Sequence, residues 1–182
     1  MHPIRASARF TRAIDATAEL LQKLKIEAMF VGGVARAAYM DVEVGTGAID
    51  VIALMNSPQK NQLAMMAGNR GYRVDREELE ATEELDLVPL NFVDPEGEEV
   101  RVHVLLASNA LYGRMVASAQ GTTLGDLERV LRVPRAEDLA LLLLMAEDEE
   151  AVRHLTALPE FDLPAFRERL RSIGLGAEVA GA

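Results

Sequence analysis

Two adjacent glycines, Gly32 and Gly33, are the first residues of this chain whose position could support chemistry. They follow a short apolar strand expected over residues 27–31 and precede an Ala-rich segment, residues 34–40, that is compatible with a helix. In such a turn the amide groups of Gly33 and Val34 lie at a helix N-terminus, where anions such as phosphates are favoured. Taken alone, a glycine pair after a strand is more often only a turn.

The next residues that could do chemistry open a second apolar strand, expected over residues 48–55. The segment reads Thr46-Gly47-Ala48-Ile49-Asp50-Val51. Together with the glycine pair it resembles the nucleotidyltransferase superfamily, in particular small bacterial proteins related to AbiEii-type toxins and to aminoglycoside nucleotidyltransferases. The pattern of that superfamily is a strand, Gly-Gly or Gly-Ser, a helix, and then Thr-x-Asp-Ile-Asp on a strand. The resemblance implies that Gly32, Gly33 and Thr46 bind a nucleotide and that Asp50 is a catalytic metal ligand.

The acidic residues of that superfamily are incomplete in this chain. Residues i and i+2 of a strand share one face, so the two carboxylates of the pattern point together at the magnesium ions that hold a nucleoside triphosphate. Ala48 occupies the first of these positions, and His103 stands where the relatives carry a third acid on a later strand. Imidazole is a poor ligand for magnesium, although it suits zinc, manganese or nickel. The resemblance therefore implies a degenerate site in which Asp50 and His103 are the remaining candidates for metal binding and catalysis.

The alternative interpretation is that His103 has a structural role and binds no metal. A single histidine on a strand is more often a hydrogen-bonded structural residue than a ligand. Its neighbours Arg101 and Leu105 share its face of the strand, whereas Val102 and Val104 face the other side.

A second match to the superfamily lies in residues 131–139, Leu-Arg-Val-Pro-Arg-Ala-Glu-Asp-Leu, which resemble the strand and helix entry that begin its C-terminal helical part. In the relatives that helix continues to a lysine and an Arg-x-Lys-Asp segment near the nucleotide or acceptor site. Here it continues with Leu141 to Leu144 and then with acidic residues 147–150. Because acids replace the cations, a phosphate is repelled there.

The elements that must position these residues form one α+β (α/β) fold. A length of 182 residues and a hydrophobic fraction of 49% suit a single compact domain, or a core with a helical appendage. The resemblance implies a nucleotidyltransferase-like mixed β-sheet flanked by helices, residues 1–134, followed by a C-terminal helical part, residues 135–182, with a soft boundary. Periodicity and turn residues predict helices over residues 5–25, 58–69 (with Ser57 as N-cap), 109–119, 149–158 and 163–173, and strands over 87–93 and 99–106. Residues 176–182 are expected to fray.

The net charge and the cysteine content limit the classes of binding partner and the cellular compartment that we expect for this protein. The formal net charge of −10 disfavours nucleic acid, which is bound mainly through phosphate contacts. Acidic residues are concentrated between Asp75 and Glu99, a segment that we expect to be a solvated face. The chain has no cysteine, which fits a reducing cytoplasm. The longest apolar run, residues 139–146, is too short to span a bilayer, and no signal peptide is visible, so no membrane association is expected.

Two functions compete. The first is a pseudoenzyme that keeps the nucleotidyltransferase fold and acts as a binding or interaction module, for a small molecule, a nucleotide or a partner of toxin–antitoxin type, with no cofactor. The second is an active nucleotidyltransferase that moves a nucleoside monophosphate from a nucleoside triphosphate to a small-molecule or protein hydroxyl, using Mg²⁺ or Mn²⁺ at an altered site of Asp50, His103 and Glu43.

Two further alternatives use other residues. Asp41 and Glu43 have the i, i+2 spacing of a metal pair, but they precede the strand, where exposed loop charges are more common. A homo-oligomer could form through the face of Leu141 to Leu144, although core burial explains that face as well.

Overall fold

A mixed five-stranded sheet lies at the centre of the computed structural model, which describes residues 1–125 and 127–174. The strands are β1 (Arg5–Ala6), β2 (Glu27–Phe30), β3 (Glu43–Val44), β4 (Ile49–Leu54), β5 (Tyr72–Arg73), β6 (Leu87–Val93), β7 (Glu99–Leu106), β8 (Gln120–Leu124) and β9 (Leu127–Val133). The helices are α1 (Ala8–Lys23), α2 (Gly32–Tyr39), α3 (Ser57–Gly68), α4 (Arg76–Ala81), α5 (Ala110–Ser118), α6 (Ala136–Met145), α7 (Glu149–Thr156) and α8 (Leu163–Ser172). A 3₁₀ turn covers Glu83–Leu85.

The central sheet has the order β2, β4, β7, β6, β5. β4 and β7 run parallel, and the other neighbouring pairs run antiparallel. β6 and β7 form the predicted hairpin, whose turn is held by Asp94, because its Oδ1 accepts the backbone N–H groups of Glu96 and Glu98 at 2.9 Å each. The predicted mixed sheet flanked by helices is confirmed.

The two faces of the sheet are covered differently. Val51 on β4 and Val102 and Val104 on β7 are fully buried on one face, over which α1 packs. Successive residues of a strand point to opposite faces, so Asp50 and His103 lie on the other face. There α2 and α5 pack against β4, and both Asp50 and His103 stay partly exposed. The alternation predicted around His103 is confirmed.

Two short ladders that the hydrophobic pattern did not predict lie outside the central sheet. β1 pairs in parallel with β3, so that Arg5 lies opposite Glu43, and β8 pairs with β9 as a hairpin. The helix predicted over residues 5–25 is wrong in its first turn, because β1 occupies Arg5–Ala6 and α1 begins at Ala8. A strand of two residues has no measurable period, and its stability comes from a partner distant in the chain.

The N-cap of α3 is also one residue from its predicted position. Asn56, not Ser57, caps the helix: its Oδ1 accepts the Gln59 N–H at 3.0 Å, and the Gln59 side chain accepts the Asn56 N–H at 3.0 Å. This reciprocal capping box satisfies two backbone donors. With Ser57 as the N-cap, Gln59 would no longer stand at the third helical position, from which its side chain accepts the N–H of the capping residue.

The C-terminal helices dock on α2. The hydroxyl of Tyr39 donates to the carbonyl of Pro134 at 2.7 Å, and Arg36 pairs with Asp148 at 2.9 Å. Leu141 and Leu143 are buried, and Leu142 and Leu144 are partly buried against the core. Core packing accounts for this face, and a homo-oligomer stays a prediction. A division at residue 134 stays a prediction, and residues 176–182, expected to fray, lie outside the described residues. Over residues 1–125 and 127–174 no helix has the length and apolar composition to cross a membrane.

Candidate functional site

Asp50 and His103 are brought together by the parallel ladder of β4 and β7. They are register partners, and His103 Nδ1 lies 3.0 Å from Asp50 Oδ1. A carboxylate can only accept a hydrogen bond, so the ring donates through Nδ1 and leaves Nε2 for a second partner. The two side chains are 34% and 29% exposed respectively, so the pair is accessible to a ligand.

The glycine turn lies directly against this pair. Gly32 has a φ of 56°, and a Cβ atom built there would be 2.7 Å from Asp50 Oδ2. A side chain at this position would have to adopt a left-handed φ and push the end of the Asp50 side chain aside, so glycine is the residue that fits with least strain. A backbone hydrogen bond also joins the end of β2 to β4 beside the turn, because the Val31 N–H donates to the Asp50 carbonyl at 2.8 Å.

This arrangement puts the Asp50 carboxylate at the positive end of α2. Val31 is the N-cap of that helix and makes no side-chain capping bond. A negative group at a helix N-terminus is stabilised by typically ~0.3–1 kcal/mol. The sequence analysis assigned Gly32 to nucleotide binding and missed its contact with Asp50. The signal that could have indicated this contact was a glycine directly after a buried strand, because a glycine there lets the backbone approach a neighbouring side chain closely.

The remaining predicted residues are close to this site in the sequence. Thr46 is exposed in the segment between β3 and β4, and Ala48 directly precedes β4, two residues from Asp50. Gly33 is the second residue of α2 and has open space where a Cβ would stand. Arg101, two residues before His103 on β7, is 55% exposed, with its Nη2 3.8 Å from Glu78 Oε1. Strand alternation places this cation on the same face of the sheet as His103.

The residues present do not fit a pair of magnesium ions. A two-ion centre needs carboxylates that bridge the metals, and this site offers one carboxylate, already hydrogen-bonded, beside one imidazole. Within the described ranges no group of three or more His, Cys, Asp or Glu side chains is placed to hold a metal ion. Asp41 is instead ion-paired with Arg5, and Glu43 lies on β3, not in a loop, as the register partner of Arg5.

The acidic residues at the start of α6 are structural. Glu137 and Asp138 are both buried. Glu137 Oε1 accepts the backbone N–H of Asp162 at 3.0 Å, and Asp138 pairs with Arg169 at 2.5 Å. These contacts fasten α8 to α6, so neither carboxylate is available for a metal at the sheet.

Comparisons with known proteins identify the fold. No protein-family model matches the chain, and no curated protein matches it significantly. Among solved structures, it is similar to the crystal structure of an antigenic nucleotidyltransferase-like protein from Paracoccidioides brasiliensis, with a TM-score of 0.56 and 14% sequence identity. The similarity covers 94% of this chain and 89% of that one. The chain therefore has a nucleotidyltransferase-like fold, and the kinship with AbiEii-type proteins stays a prediction.

Proposed function

We propose that this protein is a pseudoenzyme of nucleotidyltransferase-like fold, which binds a nucleotide or another small phosphorylated molecule without transferring a nucleotidyl group. The observation that carries the proposal is the hydrogen bond between Asp50 and His103 in the place where metal-binding carboxylates are expected. A site with one carboxylate leaves the attacking and leaving oxygens of a phosphoryl transfer without the two cations that stabilise them.

The geometry supports binding in a form that does not need a metal. The negative charge of Asp50 is partly offset by the His103 N–H and by the positive end of α2. This reduces the electrostatic repulsion between the carboxylate and a bound anion. His103 Nε2 and the exposed guanidinium of Arg101 supply polar groups on the same face of the sheet. The predicted ligand contacts are Gly33 and Thr46. The net charge of −10 favours a small ligand over nucleic acid.

The test is a calorimetric titration of the purified protein with ATP, GTP, CTP and UTP, each with and without Mg²⁺, together with an assay for incorporation of labelled nucleotide. We expect saturable binding of at least one nucleotide, with an affinity that Mg²⁺ does not increase and with no incorporation. The matched variants are Asp50→Ala and Asp41→Ala, which remove a carboxylate at the site and an exposed carboxylate away from it.

Two results would overturn this function. Incorporation that needs Mg²⁺ or Mn²⁺ and is abolished by Asp50→Ala, but not by Asp41→Ala, would show an active nucleotidyltransferase with an altered site. The absence of binding by any of the four nucleotides would show that the site has lost the ligand as well as the chemistry.

A further inference from the structure

A cavity of about 620 Å³ lies between the C-terminal half of α1, the strand β2 and the strand β9. Phe30 lines it and is the register partner of Val51 on β4. Asp50 and Val51 are consecutive residues of one strand, so their side chains point to opposite faces of the sheet. The cavity is therefore separate from the site of Asp50 and His103.

Seven of the twelve residues that line this cavity are apolar, and three of the five polar ones are cations. Its apolar side chains come from α1, β2 and β9 and include Leu21, Phe30 and Val130, the last of which is 64% exposed. Three of its four charged residues are cations, in a chain with 29 acidic and 19 basic residues. Its volume lies in the range of small-molecule sites, about 300–1,000 Å³, in which an apolar lining is combined with a few polar groups.

The three cations are not equivalent. Arg129 pairs with Asp15, and Arg132 has its Nη1 3.8 Å from Glu27 and donates to the Val116 carbonyl at 2.7 Å. Lys25 forms no ion pair with any residue in the ranges 1–125 and 127–174. Lys25 is also exposed, so its ammonium is the charge left for a ligand.

The backbone of Lys25 gives a second, independent observation. Lys25 has a φ of 54° and follows the end of α1, where its N–H donates to Gln22 and the Ile26 N–H donates to Leu21, both at 3.0 Å. This is the helix-ending geometry in which glycine is usual, because a Cβ atom disfavours the left-handed conformation. The chain thus carries a lysine at the cavity in a position where glycine would be the easier residue to fold.

We propose that this cavity binds a small molecule with an apolar body and one carboxylate head group, and that Lys25 holds the carboxylate. The apolar body lies against Leu21, Phe30 and Val130, and the head group takes the unpaired ammonium at the rim. Such binding is independent of nucleotide binding on the opposite face, so either proposal stands if the other fails.

The experiment measures octanoate binding to the full chain by calorimetry, with octylammonium as the ligand of the same apolar body and opposite charge. We expect saturable octanoate binding and octylammonium binding that is at least about tenfold weaker, as expected for loss of a charge-assisted contact. Asp50→Ala should leave octanoate affinity unchanged. Failure of octanoate to saturate, or equal affinity for the two ligands, would overturn the proposal.

A matched pair of variants separates the role of Lys25 from folding. Glu147 has a φ of 59° in the same helix-ending geometry after α6, with its N–H donating to Leu144 and the Asp148 N–H donating to Leu143. Neither Lys25→Gly nor Glu147→Gly is expected to lower the melting temperature, since glycine adopts this φ without the Cβ clash. Lys25→Gly should weaken octanoate at least about tenfold, and Glu147→Gly should leave it unchanged. Unchanged affinity in Lys25→Gly would overturn the assignment.

A third variant tests the position of the apolar body. Ala18 on α1 lines the cavity, and Ala18→Leu fills part of it while keeping a good helix former. Octanoate binding should weaken without a fall in the melting temperature. Unchanged affinity in this folded variant would mean that the ligand lies elsewhere.

Discussion

Asp50 Oδ1 and His103 Nδ1 lie 3.0 Å apart across the parallel strands β4 and β7, in the same register position of the ladder. The ladder fixes their separation, because both residues stand inside continuous strands with buried neighbours on either side. A hydrogen-bonded carboxylate and imidazole thus occupy the point at which the superfamily pattern expects two acids to share metal ions.

The pair should contribute little to stability, although it shapes the site. Both side chains are about one third exposed, and partly exposed ion pairs contribute typically ~0–1 kcal/mol. A double-mutant cycle with Asp50→Ala, His103→Ala and the double variant, measured by urea unfolding, should give a coupling free energy of about 1 kcal/mol or less. A coupling of several kcal/mol would instead make the pair a structural element retained for folding.

A side chain at Gly32 should destabilise the folded protein. Gly32→Ala forces both a left-handed φ and a contact of 2.7 Å with Asp50 Oδ2, so we expect a loss of about 1–3 kcal/mol in the free energy of unfolding. The matched control is Gly33→Ala, which meets no atom within 4 Å and lies inside α2. That change should be neutral or stabilising by up to about 1 kcal/mol.

The part of this loss that comes from the carboxylate can be separated by a second background. Adding Asp50→Ala to Gly32→Ala should recover the steric part of the loss and leave the backbone part. Equal effects of Gly32→Ala and Gly33→Ala on urea unfolding would contradict the close approach of Gly32 to Asp50.

Two buried tyrosines should make the protein sensitive to alkaline pH. Burial raises the pKa of the Tyr39 phenol, which donates to the Pro134 carbonyl at 2.7 Å, and burial likewise raises the pKa of the Tyr72 phenol, which lies 2.8 Å from Thr17 Oγ1. In the unfolded chain both phenols lose their protons near pH 10, whereas the folded protein retains them. The unfolded state then binds fewer protons, so the stabilising contribution is present below pH 10 and is lost as the pH rises above it.

The expected slope is a loss of about 1.4 kcal/mol per pH unit for each tyrosine. Urea unfolding from pH 9 to pH 11 should therefore show a steep decline that Tyr39→Phe and Tyr72→Phe each make shallower. Tyr39→Phe should also cost about 1 kcal/mol at neutral pH, because the Pro134 carbonyl loses its donor. A slope that neither substitution changes would contradict the retention of these protons in the folded state.

The main elements could be predicted from the sequence because their signals are local. Alternation around His103 and the apolar run after Asp50 define β7 and β4, and the turn residues from Asp94 to Gly97 define the hairpin. The ladder of β1 with β3 could not be predicted, because each strand has only two residues and the two strands are far apart in the sequence. The hairpin of β8 and β9 was predicted only in part. Residues 131–139 resemble a strand followed by a helix entry, whereas Gln120–Leu124 is half polar and has no strand signal of its own.

The sequence predicted which residues form the site better than it predicted how those residues contact one another. The resemblance selected Gly32, Asp50 and His103, and the structure places all three together. The sequence could not show that Gly32 lies against the Asp50 carboxylate itself, because that depends on the packing of α2 on β4. Nor could it show that Asp41 is ion-paired with Arg5, since the two are joined only by the unpredicted ladder.

The central claim is that the nucleotidyltransferase-like frame persists while its metal chemistry has been lost through residues 48 and 103. The variant that tests it combines Ala48→Asp with His103→Asp and so adds two carboxylates beside Asp50. Without metal this variant should melt at a lower temperature than wild type, because crowded like charges repel and at least one carboxyl pKa must rise. The control of the same size, Ala48→Asn with His103→Asn, adds no charge.

The decisive measurement is the shift in melting temperature caused by millimolar Mg²⁺ or Mn²⁺ in wild type, in the aspartate variant and in the asparagine control. Ions that bind only the folded state stabilise it by mass action, so the aspartate variant should gain stability while wild type and the control stay nearly unchanged. A shift in wild type alone would identify Asp50 and His103 as a working metal site, and equal responses of all three proteins would contradict a retained frame.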